Sequence, residues 1–353
     1  MCPRGNLFRA LLTACVGAVA FCFAPQQARA GGACLTTISA HRRMGTVCPE
    51  FNYEYYGATS LKTCDLRRVE SYRMEVDGQG HALIPLMLDK RRMMIVDTGG
   101  ARSTLYSSVV KELHMPTMEA DKAALTNMYK SGSEVAFNGY VSDTVAIAPS
   151  VSFGILTFAS PTFSVIEDSR TPPLADNEVA GSLGPSHLMT FDVEFDFAAD
   201  RFNLYLQNHC PGRVVYWAKD FAAIPFMLSS EGHIALDAQL DGKTVKAVLD
   251  SGAPFSSIDE YVAAGRFHVT SQSDGDKEGP LAVHRFKKLA IGNVEVENPE
   301  MIVVPDLMGA EAAQSPPEVL LGLRELSRLH IFIEYSHSML YFTLADGSTT
   351  QQP

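Results

Sequence analysis

Residues 94–105 read MIVDTGGARSTL, and residues 247–258 read AVLDSGAPFSSI. Each runs apolar residues into Asp-(Thr/Ser)-Gly and places a serine, Ser103 or Ser256, six positions after the aspartate. A single such triplet is an ordinary turn, because Asp, Ser and Gly all favour turns. Two triplets with the same lead-in, the same serine and a matching sequel need another explanation. The sequel is an apolar-Gly element, SLG ending at Gly184 and LLG ending at Gly322. From there SLGPSHLMTFDVEFDFAADRFNLY aligns without a gap on LLGLRELSRLHIFIEYSHSMLYF. Leu188 then falls on Leu326, Val193 on Ile331, Phe195 on Ile333 and Phe202 on Leu340. Two homologous halves in one chain is the economical reading.

Both halves are patterned for strands. HIALDAQLDGKTVKAVLDSG reads as strand, Asp-Gly turn, strand, then the aspartate loop, and HALIPLMLDKRRMMIVDTGG reads the same way with a different turn. Helical periodicity is confined to the neighbourhoods of Tyr106–Leu113 and Leu320–Leu329. The expected fold is all-β, with two closed β-barrel or sandwich halves, few short helices and a cleft between them.

The repeated motif has a specific chemistry. An aspartate at the end of a buried strand ionises at a cost unless hydrogen bonds offset it. Gly99 and Gly252 let the loops turn sharply and leave the backbone N–H unobstructed. Thr98 and Ser251 carry hydroxyls that can reach the opposite loop and brace the two together. If the halves meet about a pseudo-twofold axis, Asp97 and Asp250 become neighbours that share one proton and titrate as a coupled pair.

VDTGGARSTL and LDSGAPFSSI, each followed by its apolar-Gly element, resemble the two active-site halves of the pepsin/retropepsin clan of aspartic peptidases. The likeness is greatest to the bacterial retropepsin-like group, through LDGKTVKAVLDSGA; half one departs from that pattern with DTGG and DKRR. The resemblance covers about residues 78–345 and implies a bilobal acid-protease-like architecture with both aspartyl-protease domains in one chain. It implies an aspartic endopeptidase in which water held between Asp97 and Asp250 attacks a peptide bond of an extended polypeptide. Thr98, Gly99, Ser251 and Gly252 would support the active-site loops, and no metal or other cofactor would be needed. Glycine-containing stretches near 130–142 and 270–284 are the expected flaps over the cleft. The alternative is a non-catalytic peptide-binding module that keeps the bilobal fold.

Residues 1–30 have a basic start, an apolar run from Ala10 to Ala24 and a small-x-small site at Ala28-Arg29-Ala30, the order of a secretory signal peptide. Export to the periplasm or medium is therefore expected, with no stable membrane span once the signal is removed. Residues 31–75 read as a cysteine-containing extension, 76–208 as the first lobe, 209–222 as a linker, 223–345 as the second lobe and 346–353 as a polar tail. Cys34, Cys48, Cys64 and Cys210 form an even set suited to two disulfides in an oxidising compartment, in any of three pairings. Cys210 is a candidate anchor for the extension. A formal charge of −11, and no basic run longer than Lys90-Arg91-Arg92, exclude a nucleic-acid footprint. The internal duplication makes a monomer the expected state. DVEFDF, with Asp192, Glu194 and Asp196 on one strand face, reads as a solvated face. His81 and His233 each open the strand that leads toward an aspartate loop and read as edge or turn residues, with a role in tuning the aspartate pair as the alternative.

Overall fold

The computed structural model describes residues 64–119, 142–168, 179–229, 232–269, 282–305, 307 and 317–347, and the backbone of 38–39 and 42–43. All of these lie in the compact unit Gly31–Pro353. The expected flaps lie almost wholly outside the described residues, as do Cys34, Cys48 and the 1–30 leader.

The hairpins form where the sequence alternates. Ile234–Leu240 buries every second side chain and pairs antiparallel with Lys243–Leu249, from Leu240 opposite Lys243 to Ile234 opposite Leu249. Asp241 and Gly242 both adopt positive φ, 47° and 76°, the backbone that a two-residue hairpin turn requires. In half one, Ala82–Met87 pairs with Arg91–Val96 through a turn one residue longer.

The two lobe sheets share a strand order. In lobe one it runs 156–159, 150–153, 82–87, 91–96, 179–183, 104–106, 162–166, 144–147, 117–119. Lobe two repeats it as 294–297, 288–291, 234–240, 243–249, 319–321, 256–259, 300–304, 283–285. Among the described residues, lobe one adds the terminal strand 117–119. In each lobe the chain leaves one strand, makes the aspartate loop and returns two places away. A strand from much later in the lobe fills the gap. Val179–Leu183 lies parallel to Arg91–Val96 and antiparallel to Thr104–Tyr106. Val319–Leu321 does the same between Lys243–Leu249 and Ser256–Asp259.

Among the described residues these sheets are open paths rather than the closed barrels expected, and there is a topological reason. The last two strands of each repeat leave their lobe and join a shared six-stranded sheet, ordered 222–225, 339–344, 329–334, 192–196, 201–205, 68–73. Val193 pairs with Ile333, Glu194 with Phe332 and Phe195 with Ile331. Because Val193 aligns with Ile331 and Phe195 with Ile333, the pseudo-twofold axis passes through the Glu194–Phe332 pair. The halves thus contact each other as a symmetric dimer would, within one chain. Arg68–Arg73, from the stretch expected as an extension, is an edge of this sheet.

One face of the shared sheet carries Val193, Phe195, Phe202, Ile331, Ile333 and Leu340 into the main apolar core. The other face overturns the reading of DVEFDF as solvated: Asp192 and Glu194 are completely buried. The linker that follows Cys210 packs over them, placing Val214 and Trp217 against Tyr205, Phe332 and Tyr341. Trp217 stacks on His330 at 4.0 Å and donates its indole N–H to Thr343 Oγ1. A disulfide joins Cys64 to Cys210 and so ties the segment before strand 68–73 to the start of this cover.

Candidate active site

Each aspartate sits one residue beyond the end of a strand and is anchored by its own backbone. Asp97 N–H donates to Leu183 O at 3.0 Å, and Asp250 N–H to Leu321 O at 2.9 Å. The serine six positions on has the same task in both halves. Ser103 Oγ accepts from Gly184 N–H at 2.9 Å, and Ser256 Oγ accepts from Gly322 N–H at 3.0 Å. A Cβ on Gly184 would fall 2.7 Å from Arg102 O, and one on Gly322 would fall 2.3 Å from Phe255 O. Those contacts leave no room for a side chain, which is why the element carries glycine in both copies.

The two loops meet. Thr98 N–H donates to Ser251 Oγ at 3.1 Å and Ser251 N–H donates to Thr98 Oγ1 at 3.0 Å. Thr98 Oγ1 in turn donates to Leu249 O at 3.0 Å, and Ser251 Oγ to Val96 O at 2.7 Å. All four bonds cross between the halves, and both side chains are buried. Each glycine faces the opposite aspartate. A Cβ on Gly99 would fall 2.1 Å from Asp250 Cγ, and one on Gly252 would fall 2.4 Å from Asp97 Oδ1. Asp97, Thr98, Gly99, Asp250, Ser251 and Gly252 are therefore all brought to one place, where the lobes meet.

Backbone donors converge on both carboxyls. Gly100 N–H reaches Asp97 Oδ1 at 2.7 Å, while Gly252 and Ala253 N–H reach Asp250 Oδ1 at 2.9 and 3.1 Å. Burial raises Asp97 above the usual carboxylate range, against the N–H groups of Gly100 and Gly99, the Ser182 hydroxyl and the positive charge of His81. Asp250 is pushed up to about 7, first by burial and then by the charge of Asp97, against the N–H groups of Gly252, Ala253 and Gly99. Two carboxyls of raised and mutually dependent affinity can hold one proton between them and act as acid and base on a common water.

Sequence reasoning missed Ser182 and held a tuning role for His81 only as the alternative to an edge or turn residue. Ser182, completely buried on the strand that fills the gap, pairs its hydroxyl with Thr104 Oγ1 at 2.9 Å and favours the ionised form of Asp97. His81 is buried rather than at an edge, and its Nδ1 pairs with Asp77 Oδ2 at 2.9 Å. The signal for His81 was present, since extending the hairpin register Leu83–Ile95 by two residues would set it opposite Asp97.

Asp192, His209 and Glu334 cluster closely enough to hold a cation. Their donors are supplied by the protein. Asp192 accepts from His209 Nε2 at 2.6 Å, from Ser336 Oγ and N–H, and from Gln207 Nε2. Glu334 accepts from Tyr341 at 2.8 Å and lies 3.0 Å from His337 Nδ1. With these oxygens already satisfied, the cluster reads as structural.

The aspartyl protease family model matches residues 236–324, which hold the second aspartate loop and the Gly322 element. No curated protein sequence matches the chain. Basic 7S globulin from soybean is 12% identical, covering 79% of this chain and 95% of its own, with a TM-score of 0.49. An aspartic proteinase from Irpex lacteus is also 12% identical, covering 79% and 98%, with a TM-score of 0.49. A retropepsin-like aspartic protease from Rickettsia conorii is 19% identical, covering 35% of this chain and 91% of its own, with a TM-score of 0.28. Among the described residues no helix is long and apolar enough to cross a membrane. The architecture is mostly β and bilobal, and the family match falls in its second half.

Proposed function

We propose that the protein is an aspartic endopeptidase of the retropepsin-like kind that cleaves extended polypeptide between its lobes, with Asp97 and Asp250 as the catalytic residues. The observation that carries this reading is the reciprocal fit of the loops, in which Gly99 abuts the Asp250 carboxyl and Gly252 abuts Asp97. One carboxylate takes a proton from the water as its oxygen bonds to the scissile carbonyl carbon. The other carboxyl gives its proton to the carbonyl oxygen. Collapse of the resulting diol breaks the C–N bond, and a proton passes to the leaving amine. The braced loops hold both groups in position without metal or covalent intermediate. Export fits the leader-like start and the Cys64–Cys210 disulfide.

The test is cleavage of an unfolded polypeptide by the purified protein below neutral pH. Asp97→Asn and Asp250→Asn should each lower kcat/KM by about 10³-fold or more, and a chelator should change nothing. Activity surviving either substitution removes the pair from the mechanism. Peptide binding without cleavage favours the binding module.

A further inference from the structure

The short helices that follow Gly184 and Gly322 are tied to their aspartate loops in different ways. In half two the tie is made by the backbone: Leu323 N–H donates to Ala253 O at 2.7 Å and Arg324 N–H to Pro254 O at 3.0 Å. The residue of half one that aligns with Leu323 is Pro185, which has no N–H to donate. Side chains make the tie there. Ser103 N–H donates to Ser186 Oγ at 2.9 Å, and Ser103 Oγ lies 2.7 Å from His187 Nδ1. The half-two counterpart of His187 is Glu325, which serves other groups, accepting from Glu300 N–H at 3.1 Å and from Arg328 at 2.9 Å.

The direction of the 2.7 Å bond follows from what surrounds Ser103. Its oxygen already accepts from Gly184 N–H at 2.9 Å, and its proton needs an acceptor. Gly184 O is 3.4 Å away, whereas His187 Nδ1 is 2.7 Å away. A neutral imidazole with its proton on Nε2 supplies that acceptor. The surroundings favour the neutral ring. His187 is buried, stacks on Phe163 of strand 162–166 at 4.9 Å and lies 6.3 Å from the ring of Phe153 on strand 150–153. Those rings, Ser103 and Ser186 bring no charge to it, and the charge it feels is that of the cation Arg102 on the aspartate loop. Burial, and then Arg102, lower its pKa from the usual histidine value to about 4.

We propose that His187 is a positioning residue for the Asp97 loop: its unprotonated Nδ1 takes the Ser103 hydroxyl proton, and protonation of the ring withdraws this tie and lowers turnover in acid. This deepens the endopeptidase reading above and rests on it, since the loop so fixed carries Asp97. The chain of contacts is short. Gly184 N–H, Ser103 Oγ and His187 Nδ1 form one run of hydrogen bonds, and Asp97 N–H is anchored on Leu183 O, one residue before Gly184. Once Nδ1 carries a proton it donates rather than accepts, and the Ser103 proton is left with the carbonyl at 3.4 Å. The helix of half two is tied by backbone groups that do not titrate, so its loop is indifferent to the change.

Nitrogen NMR of the purified protein, run alongside the pH profile of kcat, tests this. The neutral His187 ring should carry its proton on Nε2 and titrate near pH 4. The Ser103 and Gly184 amides should shift with that midpoint, and the Ser256 and Gly322 amides should not. The acid limb of the kcat profile should bend once more at about the same pH. His187→Asn puts a non-titrating amide oxygen in the place of Nδ1; above that pH it should keep kcat within about threefold of wild type, and the extra bend should vanish. His187→Phe fills the site without an acceptor and should lower kcat by about tenfold with KM little changed. Should His187→Phe fail to fold, the NMR titration and His187→Asn carry the test. A neutral ring with its proton on Nδ1 would overturn the proposal, as would Ser103 and Gly184 amides that ignore the titration. A folded His187→Asn that is as slow as His187→Phe, or that keeps the extra bend, would overturn it too. Amides that follow His187 in a protein that cuts no peptide would instead sink the endopeptidase reading and leave the tie itself standing.

Discussion

Asp250, half-buried, and Glu194, fully buried, both lie where the two halves meet, yet Asp250 is pushed up to about 7 while Glu194 is held below its usual range. Burial opposes ionisation at both, so burial does not account for the difference. Glu194 accepts from Asn203, Tyr205, Tyr216 and His330 at 2.6 to 2.9 Å. Asp250 has backbone N–H donors and feels the charge of the Asp97 carboxyl. A carboxylate wrapped in side-chain donors and a histidine holds the fold together. One set against another carboxyl, with only backbone support, is left ready to exchange a proton.

The strongest way to break this comparison is to strip a compensated acid of its cation. His209 lies buried between Asp192, at 2.6 Å, and Glu334, at 3.6 Å. His209→Ala should cost about 3–5 kcal/mol, the range for leaving buried charge unpaired, as read by denaturant unfolding. The pH dependence carries the sign. Burial would lower the His209 value, but the Asp192 hydrogen bond, the Cys210 carbonyl and the charges of Asp192 and Glu334 outweigh it and raise it. Its contribution is then complete below the ordinary histidine value and fades as pH rises through the raised one. The gap between wild type and variant should therefore narrow on the alkaline side. A gap equal at every pH would leave packing rather than charge as the explanation.

Removing the uncompensated acid should do the opposite. For Asp250 the folded value lies above the unfolded one, 3.8 rising to about 7, so between these the native state binds more protons than the unfolded chain. Stability is then lost as pH climbs through that window. Asp250→Asn should stabilise the protein by on the order of 2–4 kcal/mol at and above neutral pH, at roughly 1.4 kcal/mol per unit. Below about pH 4 it should have no effect. A gain in stability together with loss of cleavage is the trade expected of a site held under electrostatic strain. Uniform destabilisation at all pH would show that Asp250 serves packing instead.

The sequence made one of these regions far easier to read than the other. The aspartate loops announce themselves because their chemistry is local. Asp, Thr or Ser, Gly and the serine at 103 or 256 lie within a few residues of one another. The turn at Asp241-Gly242 was legible for the same reason. The Glu194 network was not. Alternation in DVEFDF fixes that Asp192, Glu194 and Asp196 share a face, but the partners on that face come from His209, Tyr216 and Trp217 in the linker and from His330 on a strand of the other half. Nothing local distinguishes a strand face open to water from one roofed by a linker. Closure of the lobes failed as an expectation on similar grounds. Pattern identifies the strands 192–196 and 329–334 but not that they pair with each other across the halves. The pairing of Cys64 with Cys210 depends on the same long-range docking.

A graded change sharpens the comparison without abolishing either region. Tyr216 is 61% exposed and donates to Glu194 Oε2 at 2.9 Å, beside the buried Tyr205 and Asn203 that donate to the same oxygen. Tyr216→Phe removes one donor of four and keeps the ring. The cost should be small, about 1 kcal/mol, since the hydroxyl is half in water and the remaining donors persist. Glu194 contributes stability above its unfolded value and loses it as pH falls through the lowered folded value. With a donor gone the folded value rises, so Glu194 contributes less stability above it and acid unfolding should set in at a higher pH. The variant would move Glu194 one step along the path that ends at Asp250, a carboxyl whose surroundings no longer favour its charge. An unchanged acid midpoint would mean that Asn203, Tyr205 and His330 already saturate the carboxylate, and that the contrast between the two regions rests on those three alone.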